Sequence, residues 1–498
     1  MTLQVIKDQS IINKINIVES IKRWTLNYTD IVSNNNKYYN CELVKDSNNK
    51  FWLYTSYGRV GANGVKEYRM CNDQYHAESE AEKIIKSKIK KGYQKIDIIK
   101  AAVGSEVGKS KVEANSASIE SLKKMGVKIK EDDESSKLHP QVQSLVRSWF
   151  GATQEFINLN LDTGKCPLGQ LSLSQIDKAK DILSEARKII HSKKPDQKEL
   201  NNLTSSYYSN IPHVLPHRIN ADLLRFDDDL KLDKALDILD VFADAKNVQA
   251  VLSKKSAVDS QYATLKADLE FLEPSDPTYK WLDTMFHETR AYNHGALGKM
   301  KVHRIFKVNR NNEKDIWLKN AEKIAKENCG FNPSKTYSKL VEKRPDVPKD
   351  LEPLYKSANI LPGWHGTRRA NMAGITTRGL LIAPSGVVTA GAMYGSGCYW
   401  ATNSSKSVNY CDVKGSYWAQ GSNKTAFLIL ADIAFGKQKS ANGSSYYTAN
   451  NIKPYHSVFA KAGGNSGVIN DELITYYPSG PNQQHHIKYI LEFETQVK

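Results

Sequence analysis

The spacing of apolar residues changes twice along this chain, and no other feature limits the possible folds as much. Up to about residue 100 the apolar positions form short strand-like runs. From Leu138 to about Phe271 they recur at helical spacing, and after Pro274 strand-like runs return between Gly- and Ser-rich turns. A core built on one period cannot continue into the next, and 498 residues exceed what one core holds. A multidomain α+β protein is expected, with a small β-rich domain, an all-α bundle and a mixed, mostly antiparallel domain in that order.

The expected boundaries are an N-terminal arm over 1–20, the β-rich domain over 21–100, a linker over 101–137, the helical bundle over 138–271 and the mixed domain over 272–498. In the first domain Phe51-Trp52-Leu53-Tyr54-Thr55 reads as a strand running into a glycine turn, Tyr57-Gly58-Arg59-Val60-Gly61. Ala77, Ala81, Ile84, Ile85 and Ile89 then mark one face of a helix whose other face is lysine-rich. The linker loses apolar periodicity and ends in Glu131-Asp132-Asp133-Glu134-Ser135-Ser136. The bundle carries three stripes: Val142, Leu145, Val146, Trp149 and Phe150; Ile176 to Ile190; and Ala235, Leu236, Leu239, Phe242 and Ala243. Strands are expected over Val302–Val308, Ala426–Ile433 and Ile487–Phe493, with a lysine-rich helix over Ile316–Ala325.

Composition narrows the function. The net charge of +16 favours polyanions such as nucleic acid, although a lysine-rich composition alone produces the same figure. No stretch approaches the roughly 18 apolar residues of a membrane span, and the N-terminus lacks the basic and apolar regions of a secretion signal. Cys41, Cys71, Cys166, Cys329, Cys398 and Cys411 form no C-x-x-C pair, so neither a metal site nor a disulfide framework is expected, and a reducing compartment is.

Two nucleotide motifs fail. Gly104-Ser-Glu-Val-Gly108-Lys109-Ser110 has three residues between its glycines where a phosphate-binding loop needs four. Gly395-Ser396-Gly397 lacks the third small residue and the strand–turn–helix context of a dinucleotide fold. The informative segments are Leu361-Pro-Gly-Trp-His365-Gly366-Thr367-Arg368, Met393-Tyr-Gly-Ser-Gly-Cys-Tyr399-Trp-Ala401, Ser405-Lys406-Ser407-Val-Asn-Tyr410 and Asn470-Asp471-Glu472.

At these residues the sequence resembles the catalytic domain of the poly(ADP-ribose) polymerase family, in which a His, a Tyr and a Glu converge on NAD⁺. Residues 138–271, with Pro167-Leu-Gly-Gln-Leu-Ser and Ile211-Pro-His, are similar to the helical regulatory domain of the DNA-dependent members. Residues 21–100 resemble their nucleic-acid-sensing WGR domain, with Tyr57-Gly58-Arg59 in place of Trp-Gly-Arg. The resemblance implies catalysis by His365, Tyr399 and Glu472. It implies NAD⁺ binding by His365, Gly366, Thr367, Tyr399, Lys406, Ser407 and Tyr410, with His365 on the adenosine ribose, Gly366 and Ser407 on the nicotinamide amide, and Tyr410 stacked on the ring opposite Tyr399. NAD⁺ would be a substrate, with no bound cofactor or metal.

Transfer of ADP-ribose passes through an oxocarbenium-like state, which needs orientation and nearby negative charge more than an acid, and Glu472 offers that charge. The resemblance further implies activation by DNA strand breaks through Trp52, Tyr57 and Arg59, a bundle that restrains catalysis until DNA loosens it, and a nuclear location. Acceptors would be chromatin proteins and the chain itself, with an accessory protein completing the acceptor site and no membrane partner. Polymer elongation is expected, against a mono-ADP-ribosylated product or an inactive nucleic-acid-binding scaffold. An insertion is expected at about 310–355.

Overall fold

The computed structural model describes residues 5–7, 15–62, 64–96, 136–160, 172–192, 194–213, 215–252, 258–330, 335–380, 393–395, 397–443, 445 and 447–497. Residues 101–135 of the expected linker, with the rejected loop at Gly104–Ser110, and Cys166 and Ser396 lie outside the described residues. The chain divides into two compact units, one of Met1–Asp132 with Gln154–Gln249 and one of Asp133–Thr153 with Ala250–Lys498.

The first unit holds a six-stranded antiparallel sheet. Its order is β1 (Val5–Ile6), β5 (Val65–Cys71), β4 (Phe51–Arg59), β3 (Asn35–Asp46), β2 (Ile17–Asp30) and β6 (Gln94–Ile96). Helix α1 (Gln74–Lys90) starts where Asp73 accepts the His76 N–H. It buries Ala77, Ala81 and Ile85 against Trp24, Leu26, Leu43 and Leu53. Of the expected turn Tyr57–Gly61, Tyr57-Gly58-Arg59 are strand, while Val60 and Gly61 do lie in the reversal at Val60–Ala62, where Gly61 has φ +84°. Gly58 serves close approach: a Cβ there would lie 2.9 Å from the Gly64 Cα.

The helical region comprises α2 (Pro140–Asn160), α3 (Leu173–Ile190), α4 (Gln197–Asn210), α5 (Asp229–Leu252) and α6 (Val258–Thr264). Ser172 and Asp196 cap α3 and α4, and the expected stripes are buried at Ile176, Ala179, Leu183, Leu236, Leu239 and Phe242. Within the first unit α4 is joined to β2: Asn27 Nδ2 donates to the Tyr208 carbonyl at 2.8 Å and the Thr29 N–H to Ser209 Oγ at 2.8 Å. The helical pattern does not reach Phe271. Ala267–Leu272 is strand β7, with alternating buried and exposed positions over Ala267–Glu270.

In the second unit, β7, β8 (Lys299–Arg310), β15 (His485–Gln496), β11 (Thr425–Ala434) and β9 (Ile360–Gly366) form an antiparallel five-stranded sheet. A second sheet runs β10 (Cys398–Trp400), β14 (Glu472–Thr475), β13 (Ser457–Ala460) and β12 (Gln438–Ser440), with only the last pair parallel. Helix α7 (Pro277–Glu288) sets Phe286 against Trp364 and Phe493. The first part of α2 belongs here too: Trp149 packs edge-on against Phe427 at 5.8 Å, and Thr153 Oγ1 donates to the Ala370 carbonyl.

The segment expected as an insertion contains α8 (Glu313–Ala325), α9 (Lys335–Val341) and α10 (Glu352–Ser357), and it supplies core residues Trp317, Tyr337 and Tyr355. It also brings Arg344 to Asp432 on β11, at 2.7 Å, where Asp346, Tyr355 and Lys488 complete a buried ionic network.

Candidate active site

Strand β9 brings the first site residue to the junction of the two sheets. Trp364 and Ala401 exchange backbone hydrogen bonds at 2.9 and 3.0 Å, so β9 meets the chain just past β10. β10 in turn pairs with β14, Tyr399 opposite Ile474 and Trp400 opposite Leu473, which puts Glu472 at the neighbouring end of β14. His365, Tyr399 and Glu472, far apart in sequence, thus lie on connected strand ends.

His365 Nδ1 lies 3.1 Å from the Tyr399 carbonyl. A carbonyl only accepts, so Nδ1 carries the proton and Nε2 is left as an acceptor suited to a sugar hydroxyl. Burial lowers the His365 pKa, which keeps the ring neutral. The Tyr399 hydroxyl is engaged: it donates to the Gly395 carbonyl at 2.8 Å and accepts the Tyr394 N–H at 3.1 Å. That bracing of Tyr394 and Gly395 leaves the Tyr399 ring, rather than its hydroxyl, to meet a ligand.

Helix α11 (Met372–Arg378) follows the Thr367 segment, where Asn371 Nδ2 donates to Thr367 Oγ1 at 3.0 Å. Helix α12 (Ser404–Val408) lies directly against β9. Ser407 Oγ donates to the Trp364 carbonyl at 2.9 Å, and a Cβ on Gly366 would fall 1.7 Å from the Ser407 carbonyl oxygen. Only glycine permits that approach, so Gly366 is required by packing as well as by any ligand contact. Tyr410 follows α12 and is half-buried.

Glu472 is 6% exposed and pairs with Lys406 Nζ at 2.8 Å. Lys406 also donates to the Asn470 and Asp471 carbonyls at 3.0 and 3.3 Å. Burial raises the Glu472 pKa and Lys406 only partly opposes it. A desolvated carboxylate held by one lysine can fix a sugar hydroxyl and meet developing positive charge.

One neighbour escaped the sequence reading. His294 Nδ1 lies 2.9 Å from Ser405 Oγ and its Nε2 3.3 Å from Asn470 Nδ2, tying the start of α12 to the residues before Glu472. No motif surrounds it, and only the fold brings it there. Away from the site, Glu327, Cys329 and His456 cluster. His456 Nδ1 accepts the Lys437 N–H, which leaves the proton on Nε2 facing Glu327, so the cluster is a hydrogen-bonded group and not a ready ligand set.

The residues expected to meet DNA are placed differently. Trp52 is 8% exposed and its indole N–H donates to Asp46 at 2.8 Å, so it belongs to the hairpin core and offers no free stacking face. Tyr57 stacks on Tyr39 at 5.4 Å and donates to Glu67 at 2.8 Å. Arg59 donates to the Pro216 carbonyl at 2.6 Å and to Asn34, linking the sheet to the loop after α4 within the first unit. Of the α1 lysines, Lys88 sits over the rings of Tyr39, Tyr93 and Tyr57 at 4.1, 5.5 and 5.6 Å, whereas Lys83 and Lys86 are 69% and 76% exposed.

Residues 22–99, 136–269 and 277–488 match, in that order, the family models of the WGR domain, the poly(ADP-ribose) polymerase regulatory domain and the poly(ADP-ribose) polymerase catalytic domain. Among curated relatives, the chain is 28% identical to the human protein mono-ADP-ribosyltransferase PARP3, over 84% of this chain and 72% of that one. It is 26% identical to a poly(ADP-ribose) polymerase of Drosophila melanogaster, over 84% of this chain and 38% of that one. It is 25% identical to poly(ADP-ribose) polymerase 2-A of rice, over 86% of this chain and 59% of that one. The chain therefore spans well under two thirds of the fly relative's length.

Proposed function

From a chain that belongs to the poly(ADP-ribose) polymerase family and carries its WGR, regulatory and catalytic domains in order, we propose an NAD⁺ ADP-ribosyltransferase that broken DNA switches on. The observation that carries the reading is Glu472, buried at the end of β14 with Lys406 at 2.8 Å, on the strand next to that of Tyr399, whose carbonyl in turn faces His365 Nδ1. In this reading His365 Nε2 accepts a hydroxyl of the adenosine ribose. Gly366 and Ser407 hold the nicotinamide amide, with Thr367 beside them, and Tyr410 and Tyr399 take the ring between them. Glu472 fixes the nicotinamide ribose and stabilises the cation formed as nicotinamide leaves, and Lys406 steadies Glu472 and the acceptor end. Acceptors are proteins in the nucleus, the chain itself included. Among the described residues no helix is long and apolar enough to cross a membrane.

Activation rests on the WGR domain, the +16 charge and the exposed lysines of α1, with Arg59 now in a linking role between that domain and the helical region. Phosphate contacts by those lysines would make DNA affinity fall with salt. The product is a polymer or a single ADP-ribose according to how far the acceptor end accepts a second unit. The human relative's mono-transferase name favours the shorter product.

Labelled NAD⁺ incubated with the full chain, with and without nicked duplex DNA, tests the reading. DNA-stimulated labelling is expected, sharp on a gel for a single unit and smeared for a polymer. Glu472→Gln should bind NAD⁺ but label about 10²- to 10³-fold more slowly. Undiminished labelling by that variant at saturating NAD⁺ removes Glu472 from its role, and equal labelling without DNA removes the switch.

A further inference from the structure

Past Tyr410 the chain makes a loop that none of the sequence motifs includes. The Trp418 ring is stacked on Tyr410, with centroids 6.2 Å apart and planes at 20°, and Tyr417 meets Trp418 edge-on at 4.8 Å and 89°. The loop is fixed to the residue before Tyr410. The Trp418 and Ala419 N–H groups donate to the Asn409 carbonyl at 3.1 and 3.0 Å. The Tyr417 N–H donates to Asn409 Oδ1 at 2.9 Å, and Asn409 Nδ2 donates to the Ser405 carbonyl at 3.0 Å, which anchors the arrangement to α12. Bridges from Val413 to Asn423 and from Lys414 to Gly421 close the loop behind the rings. Yet Tyr417 and Trp418 remain 70% and 44% exposed. Two large rings are thus held in fixed positions while contributing little burial to the core.

We propose that Trp418 is a positioning residue that backs the Tyr410 ring and presets the face on which nicotinamide stacks, with Tyr417 bracing it at the edge. The proposal rests on the assignment of Tyr410 to nicotinamide made above. A half-buried tyrosine otherwise loses side-chain freedom when a ligand stacks on it, and a ring already held from one side has less to lose. The benefit is to ring binding in the ground and transition states alike, so it falls on KM and not on kcat.

The test compares Trp418→Ala, Trp418→Leu, Trp418→Phe and Tyr410→Ala in the full chain with nicked DNA, reading KM for NAD⁺, kcat and product inhibition by nicotinamide. The Ala and Leu variants should raise KM and the nicotinamide inhibition constant roughly two- to tenfold at unchanged kcat, the range of one aromatic pair. Trp418→Phe should restore both. Leu keeps an apolar filler without a ring, so nicotinamide inhibition of ordinary strength in Trp418→Leu overturns the proposal even if Trp418→Ala fails to fold. If Tyr410→Ala also leaves nicotinamide inhibition unchanged, the assignment of Tyr410 falls with it. Weakened inhibition in Tyr410→Ala alone overturns only the role of Trp418.

Discussion

Asp432 and Glu472 are both buried carboxylates of the second unit, 1% and 6% exposed, and their surroundings are opposite. Asp432 accepts from both Arg344 nitrogens at 2.7 and 3.1 Å and from the Tyr355 hydroxyl at 2.6 Å, with Lys488 at 3.3 Å. Burial pushes its pKa up, but Arg344, Lys488 and those hydrogen bonds together hold it well below the usual carboxylate range. Glu472 has one cation, and burial wins. The first region closes its charges into a network that fixes the 335–357 segment onto β11 and β15. The second leaves a carboxylate under-compensated, an arrangement that costs stability and that folds retain where the charge is used.

The largest effect expected from this contrast is on stability, at Asp432. Asp432→Asn leaves Arg344, itself 3% exposed, without its central partner and should cost about 3–5 kcal/mol. The sign follows from linkage. A carboxylate with a lowered folded pKa stabilises the fold above its unfolded pKa and loses that contribution as pH falls through the folded value. The deficit of the variant should therefore be full at neutral pH and shrink only in strong acid. Urea midpoints across pH check it, and a neutral-pH shift under about 1 kcal/mol would erase the contrast.

How legible each region is in sequence follows the same line. The site was readable because its residues sit in local contexts, Gly363-Trp-His365-Gly366 and Ser405-Lys406-Ser407, that strand register then assembles. Buried runs such as Phe427–Leu430 announce strands by apolarity alone. The Asp432 network is invisible in sequence: no motif marks Glu342-Lys-Arg344-Pro-Asp346, and its partners come from β11 and β15. His294 was missed for the same reason. Trp52 lies in a recognisable strand and Arg59 in a recognisable motif, but neither context says whether a side chain faces solvent. Asp46 and the Pro216 carbonyl decide that from outside the motif. The helical period predicts too much at Ala267–Leu272, where the alternation covers only Ala267–Glu270 and is short beside the helices before it. A chain begun near Glu273 would thus lose β7 from the five-stranded sheet, along with the Trp149 contact on Phe427.

A middle-sized effect is expected on pH dependence. Among the described residues, Lys406 is the group that lowers the Glu472 pKa against burial. Lys406→Met should raise that pKa further and carry the acid limb of the transfer rate to higher pH. The rate should recover toward alkaline pH, where Glu472 ionises without help. Rate profiles at saturating NAD⁺ for the parent and variant decide this. An unmoved acid limb would mean that Glu472 ionisation does not govern the rate.

The smallest effect is the stability change of Glu472→Gln, and it breaks the comparison most directly if it is large. A carboxyl whose folded pKa is raised is less favourably ionised in the fold than in the unfolded chain. Stability therefore falls as pH rises from the ordinary carboxylate value through the raised one. Removing the charge relieves that penalty. Lys406 does not become an orphan, because the Asn470 and Asp471 carbonyls still accept from it at 3.0 and 3.3 Å. The variant should thus match the parent at acid pH and stay within about 1 kcal/mol of it, on the stable side, at neutral pH, while transfer is lost. Paired urea titrations at both pH values measure the difference. A neutral-pH loss approaching that of Asp432→Asn would show that Glu472 is as fully compensated as Asp432, and the under-compensated carboxylate would no longer distinguish the site from the network.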